Sequence, residues 1–355
     1  MLLDGVHIPL ATPFYPDGRV YLRKLEHNVR RYSLTPVNGL AALTDISETE
    51  SLSDAERRQV LTIVGAEAAK DKVLLAGVGL PGVRESVALA QAAADANFDG
   101  VLVAAPLAYR HLLWHDGAAR GELLTYFQAI ADASPLPVIL VSGDAKDMLP
   151  VDVIAHLSSH SNILGLLEQS GHISRVAQVR EQCAAVRRTV TVTTTFTAVT
   201  KRMLQAPAPD AIVAGSFVSA ESLSGGLALA TAPPVPALKT RTKEVGFQLV
   251  WSLAHNATEA LRAGANSLLQ PIAASVPQAA FEVWAGWKDG DAALMAEKQA
   301  RLTTAEQGIP PYDIAAIKAG SELSGYFGGR PRLPLLPVLA ERQKEIATLL
   351  RAMRS

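Results

Sequence analysis

The feature that most constrains this chain is a regular alternation of short, almost wholly aliphatic runs with longer stretches of helical period, separated by a few turn residues. Strands are expected at 6–12, 39–43, 73–78, 100–104, 138–141 and 163–167. Near-continuous apolarity in such runs means burial on both faces, which is the condition of a parallel sheet rather than of a half-solvated antiparallel one. The intervening stretches carry helix signals. Leu22, Leu25, Val29 and Tyr32 form one apolar stripe, and Ser53 with Glu56 makes a capping box at the start of the helix that follows strand two. Six such units fill about 185 residues, and eight would close a (β/α)8 barrel, which typically takes about 250. A doubly wound sheet is the alternative. Against it, the first strand is followed not by a Gly-rich phosphate cradle but by TPFYPDG at 12–18.

The regularity breaks after the sixth unit. VTVTTTF at 190–196 reads as a strand, yet 206–243 is rich in Pro, Ser, Gly and Ala and holds a further strand-like piece, AIVAGSFV, at 211–218. Alternation resumes with FQLVWS at 247–252, a helix through Ala263 and a strand at 266–271. The expected organisation is therefore an α/β TIM barrel over 1–300, interrupted before its seventh strand by an insertion at about 196–246, and a C-terminal helical region over 301–355.

Charge narrows the function. With 33 Lys+Arg against 34 Asp+Glu and no basic block, a nucleic-acid partner is not expected, and a small molecule is. The lone Cys183 excludes an internal disulfide framework and reads as a small packed hydrophobe. MLLDGVHIPL lacks a basic stretch followed by a long apolar one, and no run approaches the roughly 20 apolar residues of a membrane span, so a cytoplasmic location is expected.

Eight strings occur in order: TPFYPDG, SLSDAERRQV, VLLAGV, GVLVAAPLAYR, LPVILV, NILGLLEQS, EALRAGANSLLQPIAASVPQ, and IKAG with RPRLPLLPV. Together, over about 3–195 and 247–340, they resemble the dihydrodipicolinate synthase and N-acetylneuraminate lyase family of class I aldolase-type barrels. The resemblance implies Schiff-base chemistry on pyruvate or a related 2-oxo acid, no cofactor, and a homo-oligomer, dimer or tetramer. That chemistry needs a lysine amine desolvated enough to be neutral and nucleophilic. The family's lysine, at the end of strand six, falls on Leu167, and its strand-five tyrosine falls on Val141. The G-T-T-G-E loop after strand two is matched by Thr44-Asp45-Ile46-Ser47-Glu48, in which only Glu48 is retained. The second family tyrosine falls on Ala108, with Tyr109 one place on. Lys146 stands where the family carries a carboxylate-binding arginine.

The resemblance therefore implies a family scaffold without its imine machinery. Asp45, Glu48 and Tyr109 are the candidate catalytic residues, and Lys146, Thr44, Ile46 and Leu269 the candidate substrate-binding residues for a small carboxylate. Lys318, in IKAG, matches a family lysine outside the site and is expected to be structural. His111 and His115 have the i, i+4 spacing of two metal ligands and Asp116 adds a carboxylate, but without a third defined ligand no metal is expected. Two functions stay open: a lyase or hydro-lyase handling a small oxo or hydroxy acid by a route without an imine, and a catalytically silent member that binds a metabolite or another protein.

Overall fold

The computed structural model describes residues 1–106, 120–144, 146–205 and 238–352. Eight parallel strands close into a barrel: β1 (Gly5–Pro9), β2 (Gly39–Ala42), β3 (Val73–Gly77), β4 (Gly100–Ala104), β5 (Val138–Ser142), β6 (Ile163–Glu168), β9 (Gln248–Trp251) and β10 (Ser267–Leu268), with β10 returning to β1. The expected (β/α)8 architecture is what the chain adopts, and each aliphatic run serves two cores. Leu40, Leu74, Val101, Leu140 and Leu166 point outward under the helices, whereas Ala41, Val73, Leu75, Leu102, Ile139, Leu167, Val250 and Leu269 fill the lumen together with Leu3. This alternation is the period-two geometry of a strand with no solvent-facing side.

The outer ring is α1 (Leu22–Ser33), α2 (Asp54–Glu67), α3 (Val83–Asp95), α4 (Arg120–Ala133), α5 (Val151–Ser158), α6 (Ile173–Gln182), α7 (Ala257–Ala263) and α8 (Pro277–Asp289). The α2 capping box forms as the sequence implies: Glu56 N donates to Ser53 Oγ at 3.3 Å and Ser53 N to Glu56 Oε2 at 2.9 Å. Strand β10 is shorter than the expected run over 266–271. Pro271, which has no N–H to give a ladder, opens a 3₁₀ turn at Pro271–Ala274 and ends the strand. Three helices complete the chain: α9 (Ala292–Gly308), α10 (Ile314–Leu323) and α11 (Ala340–Ala352). Position 300, the expected boundary, lies inside α9.

VTVTTTF is the informative departure. Its first part belongs to β7 (Arg188–Thr193), which pairs antiparallel with β8 (Thr240–Val245) outside the barrel. Val190 and Val192 are buried against Leu2, while the alternate threonines face away. The chain between β6 and the next barrel strand thus leaves the barrel before residue 196, the expected start of the insertion. It is fastened to the N-terminal end of the barrel, because Arg188 donates to the carbonyls of Ser158, His160, Ser161 and Ile163 just ahead of β6. Lys201 N donates to Asp99 Oδ1 at 2.7 Å, and the Arg202 guanidinium reaches the Ala68 and Lys72 carbonyls ahead of β3. AIVAGSFV at 211–218 lies outside the described residues.

The floor of the lumen is polar, and of its buried side-chain groups His7 Nδ1 is left without a hydrogen-bond partner. Gln248 accepts from Leu3 N at 2.7 Å and donates to the Met1 carbonyl at 3.1 Å, and the His7 ring bonds the Leu3 carbonyl through Nε2 at 3.0 Å. His7 is fully buried and faces Gly39 across the β1–β2 ladder, where an added Cβ would come within 2.3 Å of His7 Nδ1 and 2.5 Å of the Val73 carbonyl. Gly39→Ala should therefore destabilise the protein by about 1–3 kcal/mol through overpacking. Gly121→Ala, on α4 with nothing near the added methyl, should be neutral or stabilising by up to about 1 kcal/mol. Chemical denaturation of both variants checks the contrast, and equal midpoints would mean that the floor is looser than described.

Candidate active site at the barrel mouth

The C-terminal ends of the strands are where barrel chemistry is assembled, and here the first fact is aliphatic. Leu167 is 2% exposed and packs in the lumen cluster with Ile139, Val250 and Leu269. Val141 lies beside it in register on β5 and is half-buried against the same cluster. The two positions on which the sequence resemblance placed a lysine and a tyrosine are thus adjacent, and both carry hydrocarbon side chains. Leu269, expected at the binding wall, belongs to this cluster, whereas Ile46 packs into the layer between strands and helices.

The loop after β2 is wound tightly. Leu43 (φ 56) and Glu48 (φ 55) both adopt the left-handed region that non-glycine residues seldom enter, and they bracket the 3₁₀ turn Asp45–Ser47. The turned-in Leu43 carbonyl explains Gly77, where a Cβ would stand 1.8 Å from that oxygen. Thr44 N donates to Ser47 Oγ at 3.0 Å, and Ser47 in turn donates to the Leu10 carbonyl at 2.6 Å, so half-buried Thr44 is held through its backbone.

This winding sends the two expected carboxylates to different places. Asp45 stays exposed at the mouth and accepts from Gln169 Nε2 at 2.9 Å. Glu48 is buried and turned toward the C-terminal extension: its Oε1 pairs with Lys318 Nζ and its Oε2 accepts from Arg332 N at 2.7 Å. Lys318 also donates to the Arg330 carbonyl at 3.1 Å and lies 4.5 Å from the Phe14 ring centroid. Glu48 therefore works as a pin between the β2 loop and the C-terminal extension, and Lys318 has the structural role expected of it. Arg332 extends the pin, donating to Glu56 Oε1 at 2.6 Å and to the Ser51 carbonyl at 2.6 Å. That guanidinium holds the Glu56 carboxyl at about 2.

Around Asp45 the mouth is acidic. Tyr312, ahead of α10, donates to the Gln169 carbonyl at 3.3 Å, and its hydroxyl is raised above its ordinary range by burial and then by the negative charge of Asp45, Asp144, Glu306 and Glu168. Tyr312, Gln169 and Asp45 thus form one hydrogen-bonded chain across the opening. Lys146 is exposed, and its backbone N–H donates to Asp144 Oδ1 at 2.9 Å. Glu168 is spent on structure: it accepts from Arg175 Nε at 3.2 Å and from Ser170 N at 3.0 Å.

One pair on this rim escaped sequence reasoning. His255, on the loop after β9, meets buried Glu306 of α9 through Nδ1 at 2.6 Å. Glu306 also accepts from Ala254 N and His255 N, each at 2.7 Å. A carboxylate fixed by two backbone amides orients the imidazole, and His255 is about half exposed at the ring. Its only signal in the sequence is a histidine just past a barrel strand, because the partner lies 51 residues away. Tyr109, Ala108, His111, His115 and Asp116 lie outside the described residues. Among the described residues no group of three or more His, Cys, Asp or Glu side chains could hold a metal ion.

Residues 2–224 match the dihydrodipicolinate synthetase family. A 4-hydroxy-tetrahydrodipicolinate synthase from Methanosarcina mazei is 33% identical over 183 residues, which is 51% of this chain and 60% of that relative, so the alignment stops well short of the relative's full length. Among solved structures, a prophage protein of the dihydrodipicolinic acid synthase family from E. coli K12, in complex with pyruvate, superposes with a TM-score of 0.74 at 19% identity, covering 100% of this chain and 99% of that one. A dihydrodipicolinate synthase from Bacteroides thetaiotaomicron gives a TM-score of 0.74 at 16% identity, covering 99% of this chain and 98% of that one. At these identities the two structures speak to the fold alone.

The Glu48–Lys318 pin yields a prediction with a sign. Burial draws the Lys318 ammonium down to about 8 although Glu48 opposes the shift. Its folded value lies below the unfolded one, so between about pH 8 and 10.5 the unfolded chain holds more protons and this residue's contribution to stability rises with pH. Lys318→Met should cost about 3–5 kcal/mol at neutral pH by stranding a buried carboxylate, and adding Glu48→Gln should recover much of the loss. Urea titrations at about pH 7.5 and 9.5 test both parts. A gap between wild type and Lys318→Met that does not widen at the higher pH would place the ammonium at its ordinary value.

Proposed function

Because this chain belongs to the dihydrodipicolinate synthetase family, we propose that its barrel mouth holds a small oxo or hydroxy acid without forming an imine with it. The observation that carries this reading is Leu167, a buried hydrocarbon side chain in register with Val141 where the family's amine and phenol would stand. The pyruvate complex of the E. coli K12 neighbour supports the class of ligand. The hydrogen-bonding groups offered to it are Asp45, Gln169 and Tyr312, with Lys146 as the cation on the rim. A carboxylate entering here meets Asp45 and Asp144 as well as Lys146, so binding should be weak and sensitive to salt. Family membership also supports a homo-oligomer, dimer or tetramer, in the cytoplasm.

A second reading rests on His255 and Glu306. An imidazole held by a buried carboxylate can take the proton α to the carboxylate of a bound β-hydroxy acid and give it to the departing hydroxyl, so that C–H and C–O break, C=C forms and water leaves; a hydro-lyase route without an imine is the active form of the same site. The silent form would use the mouth for binding alone.

Borohydride reduction in the presence of pyruvate should leave the intact mass unchanged, while pyruvate raises the melting temperature in a saturable way. A pyruvate-derived mass on any lysine, with Lys146 the first to map, overturns the proposal. Leu167→Lys alone should not yield an efficient aldolase, because the proton relay stays absent at Val141, Ala108 and Asp45 and such relays are worth about 10² to 10⁴ in rate. Lys146→Met should weaken acid binding by about two- to fivefold at low salt and less at high salt. To separate the active from the silent form, solvent deuterium incorporation into β-hydroxybutyrate at C2 can be followed by NMR in wild type and His255→Asn; incorporation that disappears in the variant assigns the active form.

A further inference from the structure

Beneath the barrel, on the side away from the mouth, lies a groove of about 1000 Å³ between α6, α7, α8 and the β8 strand of the inserted hairpin. Its volume is at the upper end of what small-molecule sites occupy, about 300–1000 Å³. Charge sets it apart from the rest of the chain. Five cationic side chains line it, Arg180, Arg187, Lys243, Arg262 and Lys288, against the carboxylates Asp4, Glu181 and Glu244. Lys288 is paired with Asp4 at 2.7 Å and Arg187 with Glu244 at 3.6 Å. That leaves Arg180, Lys243 and Arg262 against Glu181, a local excess of two positive charges on a chain whose net charge is −1.

The cations come from separate elements. Arg180 on α6 lies across Gly264 at the end of α7, with its Cδ 2.5 Å from where a Cβ would stand, so glycine is what lets the side chain cross. Lys243 is supplied by β8, so the inserted hairpin completes one wall. Between the cations the lining includes two half-buried aromatic rings, Phe247 and Trp287. Guanidinium forks recognise phosphate oxygens, and an aromatic ring at a groove wall, here Trp287 with Lys288 Nζ 5.6 Å from its centroid, offers a flat ring a stacking partner.

We propose that this groove binds a phosphorylated ligand carrying a flat ring, of the nucleoside-phosphate class. The assignment is independent of what the mouth holds. The test is calorimetric titration of the full-length chain with AMP, with adenosine and inorganic phosphate as partial probes. AMP should bind saturably and at least about tenfold more tightly than either part, as expected when a ring and a phosphate are recognised together, and its affinity should fall as salt rises. Arg180→Met with Arg262→Met, and separately Trp287→Leu, should each weaken AMP by about tenfold or more, whereas Asp45→Asn at the mouth should leave it unchanged. Circular dichroism melting confirms that the variants are folded. No saturable binding at millimolar AMP, affinity untouched in the folded double variant, or loss of binding in Asp45→Asn would each overturn the proposal.

Discussion

The seam between β1 and β10 is the contact on which the rest of this structure depends. A parallel barrel has no free edge only if its last strand reaches its first, and β10 offers two residues for the purpose. Val6 faces Leu268 and Gly5 faces Ser267, with Ser267 Oγ donating to the Gly5 carbonyl at 2.9 Å. So short a ladder carries little by itself. What holds it is apolar packing on both sides: Leu3, Leu75, Ile139, Val250 and Leu269 fill the lumen, while Val6 and Leu268 pack in the core under the helices. Every strand end at the mouth is positioned by this closure, and the same side chains that close the barrel also form the wall on which Leu167 sits.

At the mouth this has a chemical consequence. The hydrocarbon core of the lumen continues through Leu167 near the end of β6. Polar side chains stand further out, on a rim made by elements from distant parts of the chain: Asp45 after β2, Gln169 after β6, His255 after β9, and Glu306 and Tyr312 from the C-terminal region. The C-terminal helices are therefore part of the site, because they supply the carboxylate that orients His255 and the phenol that bonds the Gln169 carbonyl.

The barrel was legible because its cause is local. Uninterrupted aliphatic runs such as ILGLL leave no solvent face, and each was followed by a helical period or a capping box such as Ser53 with Glu56. The hairpin was legible in part: V-T-V-T alternates, which marks a strand with one wet face, but nothing nearby names its partner 50 residues on. The hydrocarbon character of Leu167 and Val141 could be read directly, since a side chain's chemistry does not depend on its neighbours. The fate of Glu48 could not. Its partners Lys318 and Arg332 lie roughly 270 and 284 residues away, and only the left-handed turn at Glu48 decides that its carboxylate leaves the mouth. Position along a motif gave the location of a carboxylate; its direction came from tertiary structure.

The β7–β8 hairpin is riveted to the barrel through backbone carbonyls: Arg188 to those at and just ahead of the start of β6 and Arg202 to those ahead of β3. Carbonyls are present whatever side chains surround them, so this attachment asks almost nothing of the barrel's own sequence. The graft sits at the end of the cylinder opposite the rim that carries Asp45 and His255. Side-chain changes on the barrel beneath the hairpin can therefore leave this attachment in place, because what it grips is main chain.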